Sequence, residues 1–184
     1  LSQTAGGVGT FDCEILNKHT LAFIQMMVDR YHEAQNPATY MSEKEKKETF
    51  ENYKRLKEYI EKSMNTKLTR SKDGDAEIFG FTLEEAKLSE GQKLLLQFYA
   101  AIFAHEKTIG ECILFMDEPE NYLHPGAIIE VLNKIEGASQ IWIATHSVNI
   151  LAHYDPSFIW YMEDGKIEYA GKIPEKVLQG LLGE

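Results

Sequence analysis

Ile113-Leu114-Phe115-Met116-Asp117-Glu118-Pro119-Glu120-Asn121-Tyr122-Leu123-His124-Pro125 is the stretch on which the reading of this chain turns. Its apolar run, bounded by Gly110 and a carboxylate pair, is short and has no polar alternation, the pattern of a strand covered on both faces of a parallel sheet. A strand that ends in Asp117-Glu118 brings two carboxylates to the carboxyl edge of the sheet, where open α/β sheets bind ligands. Paired carboxylates at such an edge suit phosphoryl-transfer chemistry, in which one holds a Mg²⁺ shell and its neighbour orients or deprotonates the attacking water. Asp117 is the candidate for the first task and Glu118 for the second. The plainer alternative is a strand followed by a solvated acidic turn.

Downstream, Pro119 to Pro125 reads as a stiff turn into a helix that runs to about Ile135, with Pro125 near its first position. A second apolar strand follows at Gln140 to Ala144 and ends in Thr145-His146-Ser147. An imidazole on that neighbouring edge can donate to a terminal phosphate and stabilise developing charge; a lone histidine there can equally be a structural residue. Upstream, Leu88-Ser89-Glu90-Gly91-Gln92 opens an apolar helix that continues to His105. Ser89 is a good N-cap, and Gly91 allows close approach of the backbone, so free amides and the positive helix end face an anion. In isolation the same pentapeptide is only a capped helix.

The remaining chain supports an α/β reading. Helical spacing runs from Glu14 to about Gln35, and a capping box at Ser42 and Glu45 opens a charged helix to about Met64. That helix carries an apolar stripe at Phe50, Tyr53, Leu56 and Ile60; its charges read as a solvated face or, alternatively, a partner-binding one. Asn65 to Asp75 reads as a polar loop, Ile78 to Leu83 as a short strand, and Val148 to Ala152 as a short helix. A strand at Phe158 to Met162 turns at Asp164-Gly165 into Ile167 to Tyr169, and a last helix starts near Pro174. Strands alternating with helices predict a mostly parallel sheet flanked by helices. Residues 1–75 form an N-terminal loop and helical lobe in this reading, and residues 76–184 the part that carries the chemistry.

Composition narrows the class. With 29 Asp+Glu against 19 Lys+Arg the formal charge is −10, which disfavours non-specific attraction to nucleic acid and leaves DNA contact to a local patch. No apolar run reaches the ~20 residues of a membrane helix, and the chain reads as cytoplasmic without membrane contact. Two cysteines, Cys13 and Cys112, exclude a disulfide scaffold, and Cys112 is expected inside a strand. Leu1 without an initiating Met, followed by a Gly-rich stretch, reads as the interior of a longer protein.

The order Ser-Glu-Gly-Gln, Asp-Glu-Pro, Thr-His-Ser between Leu88 and Ala152 resembles the signature motif, Walker B strand, D-loop and H-loop of ABC-type ATPases, a branch of the P-loop NTPases. In detail it is similar to the soluble bacterial branch with the overcoming-lysogenization-defect and RecF-like proteins. The resemblance implies ATP and Mg²⁺ as cofactors and a homodimer closing on nucleotide, with a DNA or effector-protein partner. It implies that Ser89, Gly91 and Gln92 meet the γ-phosphate held by the other subunit, that Asp117 binds Mg²⁺ through water, that Glu118 is the general base and that His146 senses the γ-phosphate. DNA repair or phage defence is the implied setting. One departure is large: no Gly-x-x-x-x-Gly-Lys-Ser/Thr loop occurs, and Gly6-Gly7-Val8-Gly9-Thr10 lacks the lysine. A regulatory module of the same shape, and a Mg²⁺-dependent nuclease using Asp117, Glu118 and Glu120, are the alternatives.

Overall fold

The computed structural model describes residues 18–105, 109–135 and 138–169, which fall into two compact units dividing in sequence between Thr108 and Ile109. In the first unit, α1 (Lys18–Gln35) and α2 (Glu43–Met64) pack through apolar faces. Ile24, Val28, Leu56 and Ile60 are fully buried, and the Tyr31 ring stacks on Tyr53 with centroids 4.2 Å apart. The capping box forms as its sequence predicts: Ser42 Oγ accepts from the Glu45 amide at 3.3 Å while Glu45 Oε2 accepts from the Ser42 amide at 2.8 Å. Asn65, at φ 50°, ends α2 in the left-handed conformation that asparagine tolerates.

The polar stretch after α2 departs from expectation, because a strand forms where a loop is predicted. Leu68–Arg70 is β1, pairing antiparallel with β2 (Ala76–Ile78), which pairs in turn with β3 (Phe81–Thr82). Leu68 is the only apolar residue in β1, too little for a period-two signal, yet it is wholly buried and so anchors the strand. Phe79 and Gly80, both at positive φ, split the expected Ile78 to Leu83 strand into two arms of a tight hairpin. Gln25 of α1 staples the preceding turn, donating to Gly74 O at 2.9 Å and accepting from the Ala76 amide at 2.7 Å. Helix α3 (Glu90–Ala104) packs on α1 and α2, and its mostly apolar stretch Leu94 to Ala100, Gln97 included, is buried without a break.

The second unit is built on β4 (Ile113–Asp117) and β5 (Gln140–Ala144), paired in parallel in a register that sets Phe115 beside Trp142 and Asp117 beside Ala144. Helix α4 (Pro125–Lys134) is the crossover between them, and α5 (Val148–Leu151) follows β5. An antiparallel hairpin, β6 (Trp160–Glu163) with β7 (Lys166–Tyr169), turns at Asp164 and Gly165, both at positive φ.

The chain is a mixed α/β protein, but the expected mostly parallel sheet is corrected in extent. Among the described residues the parallel pairing involves two strands, and the other two sheets are antiparallel. Among the described residues the parallel pair has one exposed face: Ile113, Phe115 and Trp142, which share it by register, are 53%, 73% and 45% exposed. An apolar run shows that a strand is suited to burial; it does not say how many neighbours it has. Cys112 precedes β4 rather than lying within it and is half-buried. The expected start of the first helix at Glu14, the helix from Pro174, Cys13 and the glycines at 6–10 lie outside the described residues.

Candidate functional site

Strand β4 delivers Asp117 to its carboxyl end, exposed to solvent. The chain then breaks sharply at Glu118, which adopts φ 42° and ψ 52°. That left-handed geometry costs a residue with a Cβ roughly 1–2 kcal/mol, and such strain persists where the surroundings over-determine it. Two contacts do so here. The Glu118 amide donates to Ala144 O at 2.9 Å, adding a rung beyond the end of the β4–β5 ladder, and Asn121 Nδ2 donates to Glu118 Oε2 at 2.8 Å. Pro119–Asn121 forms a 3₁₀ turn, after which His124 caps α4 by accepting the Gly126 amide on Nδ1 at 3.2 Å, with Pro125 at the first helical position.

The end of β5 carries the partner group. His146 Nε2 lies 3.3 Å from Glu118 Oε1, with the imidazole 81% exposed and the carboxylate side chain 45% exposed. Ser147 then caps α5 through its hydroxyl, which accepts from the Ile150 amide at 3.4 Å. Asp117, Glu118 and His146 are thus gathered on one edge of the parallel pair, the edge at which ligands of α/β sheets bind.

Glu120, the third acid of this turn, has its own partners at the end of β5. Expected from sequence only as a third carboxylate of a nuclease cluster, it instead turns toward that strand end. Its Oε1 accepts from Thr145 Oγ1 at 2.6 Å and from the His146 amide at 2.7 Å. Burial pushes its carboxyl up, but the hydrogen bonds from the Thr145 hydroxyl and the His146 amide, with further attraction from the amides of Glu120 and Ser147 that lie outside hydrogen-bonding geometry, outweigh this and hold it below the usual glutamate value. The sequence signal was available in outline: an acidic residue three positions after Asp117, opposite a Thr-His-Ser segment rich in donors.

Ser89, Gly91 and Gln92 belong to the first unit, at the start of α3. Ser89 Oγ accepts from the Gln92 amide at 3.3 Å, and Gln92 Oε1 accepts from the Ser89 amide at 2.9 Å. Gln92, predicted as a ligand contact, therefore has a helix-capping task of its own.

For a metal, Asp117 offers one exposed carboxylate, and among the described residues no group of three or more His, Cys, Asp or Glu is placed to hold an ion. That donor set fits Mg²⁺, which keeps waters and substrate phosphate oxygens in most of its coordination sites, and does not form an all-protein cage. Among the described residues no helix is long and apolar enough to cross a membrane.

Comparison with curated proteins returns no match. A family described as "AAA domain, putative AbiEii toxin, Type IV TA system" matches residues 15–152, which include the whole of Ser89 to Ser147. The match covers three quarters of the 184 residues, and the chain accordingly belongs to this AAA domain family of P-loop NTPases, a membership that indicates nucleotide-binding, ATPase-like function.

Proposed function

We propose that Asp117, Glu118 and His146 form the hydrolytic edge of an ATP site of the ABC-type, RecF-like kind. The approach of Glu118 to His146 at 3.3 Å carries this reading, since it pairs a carboxylate with an imidazole beside the strand end that bears Asp117. Glu118 accepts the proton of the attacking water as the water oxygen bonds to the γ-phosphorus and the bond to the β–γ bridging oxygen breaks, releasing ADP. His146, exposed beside Glu118, donates to the γ-phosphate oxygens. Mg²⁺ held through water by Asp117 would supply neutralisation of charge on the phosphates.

The start of α3 offers amides and a positive helix end to the γ-phosphate of a second subunit, with Ser89, Gly91 and Gln92 as its contacts. The site closes only in a dimer, and the loop that cradles the β- and γ-phosphates is supplied from outside these 184 residues. Dimer closure then serves as a switch for a DNA or protein partner, in DNA repair or phage defence. The nuclease alternative is less well supported, because Glu120 is engaged by Thr145 and His146.

The test is Glu118→Gln in the full-length protein, assayed for ATP binding, hydrolysis and mass by light scattering. Hydrolysis should fall roughly a hundredfold or more while ATP still binds, as expected on losing a general base, and ATP should drive a persistent dimer. Wild-type turnover in that variant would remove Glu118 from the role of base.

A further inference from the structure

Outside the three residues of the proposed hydrolytic edge, Glu120 has no assigned task. Glu120 is drawn into the structure by two short hydrogen bonds to Oε1, while its other oxygen, Oε2, is buried and makes no hydrogen bond. A buried unpaired carboxylate oxygen is costly, and a native chain that retains one calls for an explanation. Structural need alone does not supply it. The two donors, the Thr145 hydroxyl and the His146 amide, both reach Oε1, so a neutral glutamine could satisfy them through its carbonyl oxygen with the same side-chain length. What glutamate adds is charge, and charge-assisted hydrogen bonds are shorter and roughly twice as strong as neutral ones. The bonds here, at 2.6 and 2.7 Å, are of that short kind.

The location of these bonds says what they hold. Glu120 sits in the turn that begins directly after Glu118, and its donors belong to the segment whose imidazole meets Glu118. The carboxylate is therefore a clamp between the two loops that carry the facing groups. Thr145 extends the clamp, because its hydroxyl oxygen also accepts from the Ser147 amide at 3.0 Å, where α5 begins. The hydrogen bond from the Glu118 amide to Ala144 O also joins these segments, but it fixes the base of the turn and not the His146 backbone.

We propose that Glu120 is a positioning residue for hydrolysis: through Thr145 and the His146 amide, its ionised carboxylate sets the His146 imidazole against Glu118. The proposal rests on the hydrolytic reading of Glu118 and His146 given above. Glu120 takes no part in bond making; it limits the arrangements available to His146, and misplacement of a catalytic group by a fraction of an ångström is enough to lower a rate substantially.

The experiment is a mutant cycle in the full-length protein, with Glu120→Gln and His146→Ala made singly and together, and ATP hydrolysis and thermal unfolding followed in each. Glu120→Gln should lower kcat about tenfold, leave KM for ATP within about twofold, and cause no further loss in the His146→Ala background, because residues acting as one unit are non-additive. Equal losses in both backgrounds, an unchanged kcat for Glu120→Gln, or an unchanged kcat for His146→Ala would each overturn the proposal. Thr145→Val, which removes one donor and leaves the carboxylate, should reproduce the split between kcat and KM in weaker form. It serves in the cycle if Glu120→Gln does not fold, and additivity with His146→Ala would overturn the proposal there too. As a readout without nucleotide, the NMR resonance of the His146 amide proton should move upfield in Glu120→Gln, and no movement would count against the clamp. Glu118→Gln keeps the two failures apart: if it hydrolyses ATP at the wild-type rate the underlying reading has failed, whereas if it is inactive and Glu120→Gln is fully active, the failure belongs to Glu120 alone.

Discussion

Glu118 Oε1 and His146 Nε2 stand 3.3 Å apart across the ends of two adjacent parallel strands, although 27 residues and a whole helix separate them in sequence. A parallel pair makes this possible: both strands run the same way, so the loops leaving their carboxyl ends emerge on the same edge. The crossover helix α4 only has to return the chain to the starting edge.

The left-handed backbone of Glu118 reverses the usual ranking of alanine and glycine. At φ 42° a Cβ is strained, so Glu118→Gly should be more stable than Glu118→Ala by about 1 kcal/mol, even though glycine loses more backbone entropy on folding. Urea unfolding of both variants measures this. Alanine at least as stable as glycine would mean that the turn relaxes out of the left-handed region.

Ser89 has two tasks that substitution can separate. Ser89→Ala removes the cap of α3 and should cost about 1 kcal/mol, whereas Ser89→Asp keeps an N-cap acceptor. In the full-length protein the aspartate would set a negative charge where the γ-phosphate is proposed to approach, so Ser89→Asp should retain stability and lose ATP-driven dimerisation. Gly91→Asp should behave likewise. Normal dimerisation of both variants would rule out a role for the start of α3 in trans.

Acid should loosen the first unit through Glu61. Burial pushes its carboxyl up, but the Leu68 amide at 3.0 Å, with Lys67 and Lys57 nearby, prevails and holds it below the ordinary value of 4.5. A depressed folded-state value means stability that is present above pH 4.5 and lost as the pH falls through the folded-state value. Wild type should therefore exceed Glu61→Gln in urea midpoint at neutral pH, with the gap closing in acid. A gap that stays constant down to pH 2, roughly two units below the glutamate reference, would show that ionisation of Glu61 contributes nothing.

The 184-residue chain alone should bind Mg²⁺-ATP weakly, with a dissociation constant above roughly 0.1 mM. One carboxylate at a strand end and a capped helix start cannot replace a phosphate cradle with its lysine. Calorimetric titration is the measurement, and low-micromolar binding would contradict the assignment of Asp117, Glu118 and His146 as only part of a site.

Local chemistry makes much of this chain legible from sequence. The capping boxes at Ser42 and Ser89, the prolines at 119 and 125 and the Asp164-Gly165 turn act within a few residues, so helix starts and turns can be read directly. The apolar runs of β4 and β5, each leading into polar residues at its carboxyl end, likewise declare two strands whose edges carry Asp117, Glu118 and His146. Contacts between residues far apart in the chain are not legible. Leu68 becomes a strand because Ile78 pairs with it and Glu61 accepts its amide, neither of which its neighbours announce. Glu120 looks in sequence like one more acid in an acidic turn; only the parallel register, which brings Thr145 and His146 beside that turn, gives its carboxylate donors and a direction. Sequence thus determined which residues could serve as strand ends, caps and acids, because those properties belong to short-range covalent and hydrogen-bonding geometry. Tertiary structure decided which acid faces water, which faces His146 and which is engaged in holding the histidine's backbone, because burial and pairing depend on neighbours brought together by folding.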